Sequence, residues 1–440
     1  MTEIIFLVDD IDPATGAITT ATDRLRSISP NWQPNLYDEN KAYYQKYMGG
    51  RIKFARVADV TSYDPSKRYF YFIPLNDWHC TMQQFFFMLP KEKLLEFAQN
   101  NVGFYFCQDF EMYPNMEINF LGNYLGWVRL IRDAHAFPQI PMYFAMCSEL
   151  CPKHKFALRR AFQGQLNFVM SPMLVKYTVD ELHQKLKTVG MSVEAGALLD
   201  DYLGSPKQKL YMALTRDPKY HRLAMMHGLR ANGLLDKGYV SHLIQNSYNS
   251  SAVAVKSSEY AQRVVWDMDN NGPMPYMEVD DVEPTAHARS AFIQEGIGGV
   301  IPLDQMVSSC YDLVQETSTR YDVVPYGSVV DMAVVTEKLI KSLIFARPFV
   351  VNGGPGCLRV IRRWGFETCG YLFDESYDEL EHFVDRQEVI VRSMLGHARD
   401  YGRVMSMARD NRASLERNSR RALDFPIQDV LADAILRPWA

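Results

Sequence analysis

Tyr69-Phe70-Tyr71-Phe72-Ile73-Pro74 is followed by a stretch from Met88 to Asn100 with apolar residues at helical spacing, and then by Gly103-Phe104-Tyr105-Phe106-Cys107-Gln108-Asp109. Two short apolar runs separated by a helical pattern read as strand, helix, strand. That alternation predicts a crossover unit in a parallel sheet, not an all-β lobe. The chain opens in a similar way: Ile4-Ile5-Phe6-Leu7-Val8 is an apolar run whose carboxyl end meets Asp9-Asp10, the pattern of a buried strand. Met142 to Met146 reads as a further strand, helical patterns cover 123–134 and 155–164, and a polar helix covers 179–187.

Gly204-Ser205-Pro206-Lys207 is a loop signal and sets the expected boundary between two lobes. Beyond it, Lys209 to Leu214 reads as a strand, Thr215-Arg216-Asp217-Pro218 as a turn, and Tyr220 to Asn232 as a helix stopped by Gly233. The stretch 241–290 is polar and has no clear period. Met332 to Phe345 reads as a helix and Pro348 to Val351 as a strand; the glycine-rich turn Gly353-Gly354-Pro355-Gly356 then leads into a helix reaching Trp364. From Asp378 onward the pattern is helical and charged, with six arginines against two acids between Arg403 and Arg421. The expected architecture is α/β with two Rossmann-like lobes, 1–203 and 204–385, followed by C-terminal helices at 386–440 that can cross back.

The chain has 440 residues, 47% of them hydrophobic, and a formal net charge of -5. That much apolar surface with so small an imbalance excludes a disordered chain. It also argues against a general nucleic-acid binder driven by the whole protein's field, while leaving a local basic groove open. No window approaches the roughly 18 apolar residues of a membrane helix, and no basic region or cleavage site precedes Ile4, so a soluble, cytoplasmic protein is expected. The seven cysteines, at 80, 107, 147, 151, 310, 357 and 369, lie mostly in apolar stretches and read as buried thiols. Cys147, Cys151 and His154 lack the second ligand pair of a structural zinc site, so no metal is expected there.

Val334-Val335-Thr336-Glu337-Lys338-Leu339 carries the most chemical information. Polar residues opening an apolar helix stand where free N–H groups and the macrodipole favour an anion. The two oxygens of Glu337 match a vicinal diol such as a ribose. A plain helix cap with a solvated Glu-Lys pair is the alternative. Arg216 and Arg222 flank the strand-to-helix turn after Lys209 to Leu214, and an arginine fork matches a diphosphate. Lys338 is a further candidate for the same anion.

The segment resembles the sugar-donor lobe of fucosyltransferase-like and exostosin-like glycosyltransferases, and most resembles glycosyltransferase-like proteins common in bacteriophages and large viruses. The blocks that carry the resemblance are Arg216 to Arg222 with Gly233 to Gly238, Glu316-Thr317, Thr336-Glu337-Lys338, Pro348-Phe349 with Pro355 to Leu358, Gly365 to Thr368, and Asp374 to Asp378. They span roughly residues 205 to 395 and leave the first lobe largely unmatched. The resemblance implies a GT-B-type enzyme that moves a sugar from a nucleotide sugar to a hydroxyl without a required metal or cofactor. It implies that Thr336, Glu337 and Lys338 hold the nucleotide sugar and that Glu316 faces the sugar. It further implies a catalytic base just after a first-lobe strand, a position that Asp109 and Glu111 fit, with Asp9, Asp10 and His79 as weaker alternatives.

The acceptor stays open between a hydroxymethylated base of viral DNA, reached by the arginines of 403–421, and a glycan or protein hydroxyl. Those arginines also fit a solvated helix face. Asp267-Met268-Asp269-Asn270-Asn271-Gly272 with Glu278 formally matches a calcium loop, and Asp267-x-Asp269 a metal-nucleotide motif, but Pro273 and Pro275 fall inside that loop. The rival expectations are a catalytically inactive binding or virion protein, and a metal-dependent transferase using Asp267 and Asp269.

Overall fold

A computed structural model of the chain describes residues 2–20, 41–42, 44–74, 91–108, 140–146, 148–150, 166–188, 194–215, 220–242, 256–271, 303–316, 321–323, 328–330 and 332–437. The chain divides into two compact units: 1–174 with 322–328 and 426–440, and 175–321 with 329–425. Both are mixed α/β and each is built on a parallel sheet. Among the described residues no helix is long and apolar enough to cross a membrane.

The first unit holds strands β1 (Ile4–Val8), β2 (Ile52–Arg56), β3 (Arg68–Pro74), β4 (Gly103–Gln108), β5 (Met142–Met146) and β6 (Leu166–Met170). They pair in parallel in the order β2-β1-β3-β4-β5-β6. The inner strands β1 and β3 are almost wholly apolar and buried, as strands covered on both faces are, while the edge strand β2 carries Lys53 and Arg56 and is partly exposed. Phe6 packs against Tyr105 at 4.7 Å and Tyr44 against Phe72 at 5.1 Å, and the hydroxyls of Tyr44 and Tyr105 meet at 3.0 Å. Tyr71 instead meets Phe97 of α1 (Lys91–Gln99) at 5.4 Å. The strand-helix-strand reading of 69–109 therefore matches the elements observed up to Gln108.

Two helices, α2 (Met173–Thr188) and α3 (Ala195–Gly204), precede the sheet of the second unit. That unit continues with β7 (Lys209–Thr215), α4 (Tyr220–Ala231), β8 (Gly238–His242), α5 (Glu259–Asn270), α6 (Leu303–Ser308), β9 (Ser309–Gln315), α7 (Glu337–Ile344), β10 (Phe349–Asn352), α8 (Cys357–Arg363), α9 (Phe383–His397), α10 (Tyr401–Asp410) and α11 (Arg412–Leu423). Its sheet is parallel in the order β8-β7-β9-β10. From β7 the chain moves to one side for β8 and then to the other side for β9, so the winding reverses between β7 and β9. The first unit repeats this reversal between β1 and β3. A final helix, α12 (Ile427–Leu436), belongs to the first unit, where Arg51 bonds Asp433 at 3.0 Å and Gln428 donates to the Tyr47 carbonyl at 2.8 Å. Gly50 makes that approach possible: it has φ +54°, and a Cβ there would lie 2.9 Å from Gln428 Oε1.

Several expectations need correction. The units divide at 174/175, not at 203/204, because α3 packs on α6, α10 and α11 of the second unit. Helices α9 to α11 are part of the second unit and do not form a separate segment. The stretch read as a helix from Met332 to Phe345 starts as a short strand, Met332–Val334, and becomes helical only at Glu337, after Thr336 caps it. The arginine-rich stretch is two helices broken at Asn411. The calcium-loop reading fails because Asp267 to Asn270 are the last turn of a helix. Residues 123–134 and 155–164, with Cys147, Cys151, His154 and His79, lie outside the described residues. The described cysteines 107, 310, 357 and 369 are buried.

Asp267 is occupied as a structural anchor. Its carboxylate is 1% exposed and receives His227 Nδ1 at 2.7 Å, Arg230 Nε at 2.8 Å and Asn271 Nδ2 at 2.7 Å, tying α5 to α4. Burial of His227, with the nearby Arg230 charge, outweighs the attraction of Asp267 and lowers the histidine's pKa below its ordinary value near 6.5. The unfolded histidine then binds a proton at a higher pH than the folded one. Stability from this site is complete above about pH 6.5 and is lost as pH falls toward the folded value. Urea unfolding at pH 7.5 and 5.5 should show lower stability at the acid end, with a weaker pH dependence in His227→Gln. An equal dependence in both proteins would remove His227 as its source.

Candidate functional site

The candidate site stands at the carboxyl edge of the second sheet, beside the point where its winding reverses. Ligands of open α/β sheets settle at such a place because the connections on either side diverge and leave a crevice.

Glu316 follows β9 directly, and its N–H still pairs with the Asn352 carbonyl at 3.2 Å. Its side chain is 0% exposed. One carboxylate oxygen accepts the Thr336 N–H at 3.0 Å and the other accepts the Thr336 hydroxyl at 2.7 Å. Glu316 thus fixes the residue that caps α7. Burial raises its pKa, against the opposing pull of Lys338 and the Thr336 hydrogen bonds. The Glu316 carbonyl also accepts from His221 Nε2 and Arg222 Nε, each at 3.0 Å. Arg222 is 2% exposed, so it is no surface arginine: it joins the start of α4 to the end of β9.

Thr336 in turn holds the next residues. Its hydroxyl oxygen accepts from the Lys338 N–H at 3.4 Å and from Lys338 Nζ at 3.3 Å. Lys338 Nζ also donates to Glu337 Oε1 at 2.7 Å. The other oxygen, Glu337 Oε2, is buried and has no hydrogen-bond partner among the described residues. Burial alone would push the Glu337 pKa up, but Lys338 and Lys341 outweigh it and hold the carboxyl below its usual range. An ionised carboxylate with one unpartnered buried oxygen therefore opens α7. A charged group buried this way costs stability unless something donates to it.

The neighbouring glycine-rich turn offers no comparable opening. Gly356 has φ +88° and its N–H donates to the Asp378 carbonyl at 2.8 Å. The Asp378 carboxylate accepts from Leu358 and Arg359 N–H at 3.1 and 3.2 Å, so the start of α8 is closed by the protein's own anion.

Glu316, Thr336, Glu337, Lys338 and Arg222 are thus brought into one connected set. Arg216, Asp109 and Glu111 lie outside the described residues. Of the weaker base candidates, Asp9 accepts from the Tyr71 hydroxyl at 2.7 Å, and Asp10 faces Arg56 at 3.5 Å. Sequence reasoning missed Gln315, Asn352 and Gln387, whose side chains form a buried polar chain ending on the His221 carbonyl beneath the same edge. Their only sequence signal is polar residues ending apolar strands or interrupting the apolar face of a helix. Comparison with protein-family models, curated proteins and solved structures finds no match to this chain.

Proposed function

We propose that the chain is a glycosyltransferase that draws on a nucleotide-activated sugar, held on the second unit at the start of α7. The observation that supports this most is Glu337: a buried carboxyl held below its usual pKa range, with one oxygen that has no partner among the described residues, at a helix N-terminus beside the switch point. Sugar and ribose hydroxyls are donors that such an oxygen accepts from, and Lys338 beside it offers a cation to the phosphates. Glu316 is given a different role from the one its resemblance implies: its carboxylate holds Thr336 and so positions the helix start. Arg216 and Arg222 remain candidates for the diphosphate, and Asp109 and Glu111 for the base. In this reading protein cations stabilise the leaving diphosphate, and no metal is required.

The arginines of the C-terminal helices give a DNA acceptor little support. Arg412 pairs with Asp200 at 2.6 Å and Arg417 with Glu367 at 2.7 Å, while Arg420 pairs with Glu416 and Arg421 donates to the Trp364 carbonyl. A glycan or protein hydroxyl is the better acceptor class to screen first.

The test is thermal unfolding with millimolar uridine, guanosine, adenosine and cytidine diphosphates. A ligand that binds only the native state, present at about 100 times its Kd, adds about 2.7 kcal/mol of stability. At least one nucleotide is expected to raise the melting temperature by a few degrees. No shift with any of them would sink the proposal and leave the inactive-protein alternative standing.

A further inference from the structure

Strands β7, β9 and β10 end in a polar row. Gln315 lies opposite Asn352, and Thr215 and Gln315 each stand three residues beyond Met212 and Asp312, the last pair in register between β7 and β9. Residues in register point to the same face of a sheet, so Gln315 and Asn352 share one face, and Thr215 ends the strand next to Gln315's. Thr215, Gln315 and Asn352 are each 1% exposed.

The hydrogen bonds along this row have a fixed direction. The His221 carbonyl can only accept, and it takes Gln387 Nε2 at 2.7 Å, which settles the orientation of that amide. The same nitrogen lies 3.2 Å from Asn352 Oδ1, so Asn352 Nδ2 faces Gln315 and donates to its Oε1 at 2.6 Å. Gln315 is left with its nitrogen as the end of the relay. That nitrogen, Nε2, is buried and has no partner among the described residues, and the same holds for the Thr215 hydroxyl at the end of the neighbouring strand. Two buried donors at adjacent strand ends, both without acceptors among the described residues, are costly unless an outside oxygen meets them. The amides behind Gln315 polarise its N–H and hold it in place.

We infer that the Thr215 hydroxyl and the Gln315 amide are ligand-recognition groups that together donate to a phosphate oxygen of the bound nucleotide. The inference rests on the nucleotide-binding reading of this unit and adds a subsite to it, distinct from the Glu337 end. A phosphate oxygen suits the pair because it accepts from two donors at once, and because the buried Arg222 guanidinium lies one residue along from His221, which anchors the relay.

Thr215→Val keeps the shape of the side chain and removes only the hydroxyl. With the nucleoside diphosphate that stabilises the wild type, its Kd is expected to rise at least about tenfold, while the ligand-free melting temperature stays level or rises. The corresponding nucleoside, lacking phosphates, should bind both proteins alike. Thr215→Ser, which keeps the hydroxyl, should bind the diphosphate as the wild type does. If valine lowers both stability and affinity, the serine variant decides: wild-type affinity upholds the inference and lost affinity overturns it. Unchanged diphosphate affinity in Thr215→Val overturns it, with a fall in stability marking a buried water as the partner. An equal loss for the nucleoside overturns the phosphate assignment. A wild type that binds no nucleoside diphosphate fails earlier, at the proposed function itself.

Discussion

Glu337→Gln is expected to weaken nucleoside-diphosphate binding by about 10- to 100-fold and to abolish sugar transfer, with the fold intact. The magnitude follows from losing a hydrogen bond to a charged acceptor, worth about 1.5–3 kcal/mol. The fold should survive because Glu337 Oε2 contacts no donor among the described residues and glutamine fills the same space. What is removed is the ion pair with Lys338, whose side chain is 23% exposed, and the longer-range attraction of Lys341. Binding isotherms by calorimetry and circular dichroism of the same samples separate the two effects. Wild-type affinity in Glu337→Gln would reject the site assignment. A shared loss of affinity and structure would instead recast Glu337 as part of the scaffold.

A larger effect on stability is expected from the buried pair behind α7. Helix α7 ends at Ile344, and just past it Ala346, with φ +50°, turns the chain so that the Arg347 N–H bonds the Ser342 carbonyl at 2.9 Å. That turn delivers Arg347, 2% exposed, to Asp312 in the middle of β9. Arg347 Nε lies 2.8 Å from Asp312 Oδ1, and the Ser342 hydroxyl donates to Oδ2 at 2.8 Å. The guanidinium also bonds Ser309 Oγ at 2.8 Å and the Met306 carbonyl, and lies 5.1 Å from the Tyr202 ring centre. Removing one member leaves the other charge buried without its counterion. Arg347→Met is therefore expected to cost about 3–5 kcal/mol in urea unfolding, while adding Asp312→Leu restores much of the loss. A double-mutant cycle measures the coupling. Additive losses would show that the charges do not depend on each other.

The parallel sheets were legible because their strands are short apolar runs and α1 falls between two of them. The polar groups that join these elements were not. Asp312 and Gln315 look like interruptions in an apolar strand, and only packing shows that Arg347 and Asn352 complete them. Helix α5 was missed inside a polar stretch because one of its inward positions is Asp267, made acceptable by His227 and Arg230 on another helix. Thr336 and Glu337 were legible as a helix start from their order alone. The role of Glu316, twenty residues upstream of Thr336, was not, because the bond joining them links a strand end to a helix cap.

The placement of α12 in the first unit has a consequence for how the protein is made. Chains emerge from the ribosome at about 5–20 residues per second, so the bulk of the first unit waits about 10–50 s for the helix that completes it. Throughout that interval Tyr47 and Arg51 lack their Gln428 and Asp433 contacts, while the second unit gains the last strand of its sheet at Asn352, before α12 is made, and can close first. Nascent chains stalled before Pro426 should therefore carry a protease-resistant second unit beside a more sensitive N-terminal sheet. The assembly order would then be the reverse of the order of synthesis.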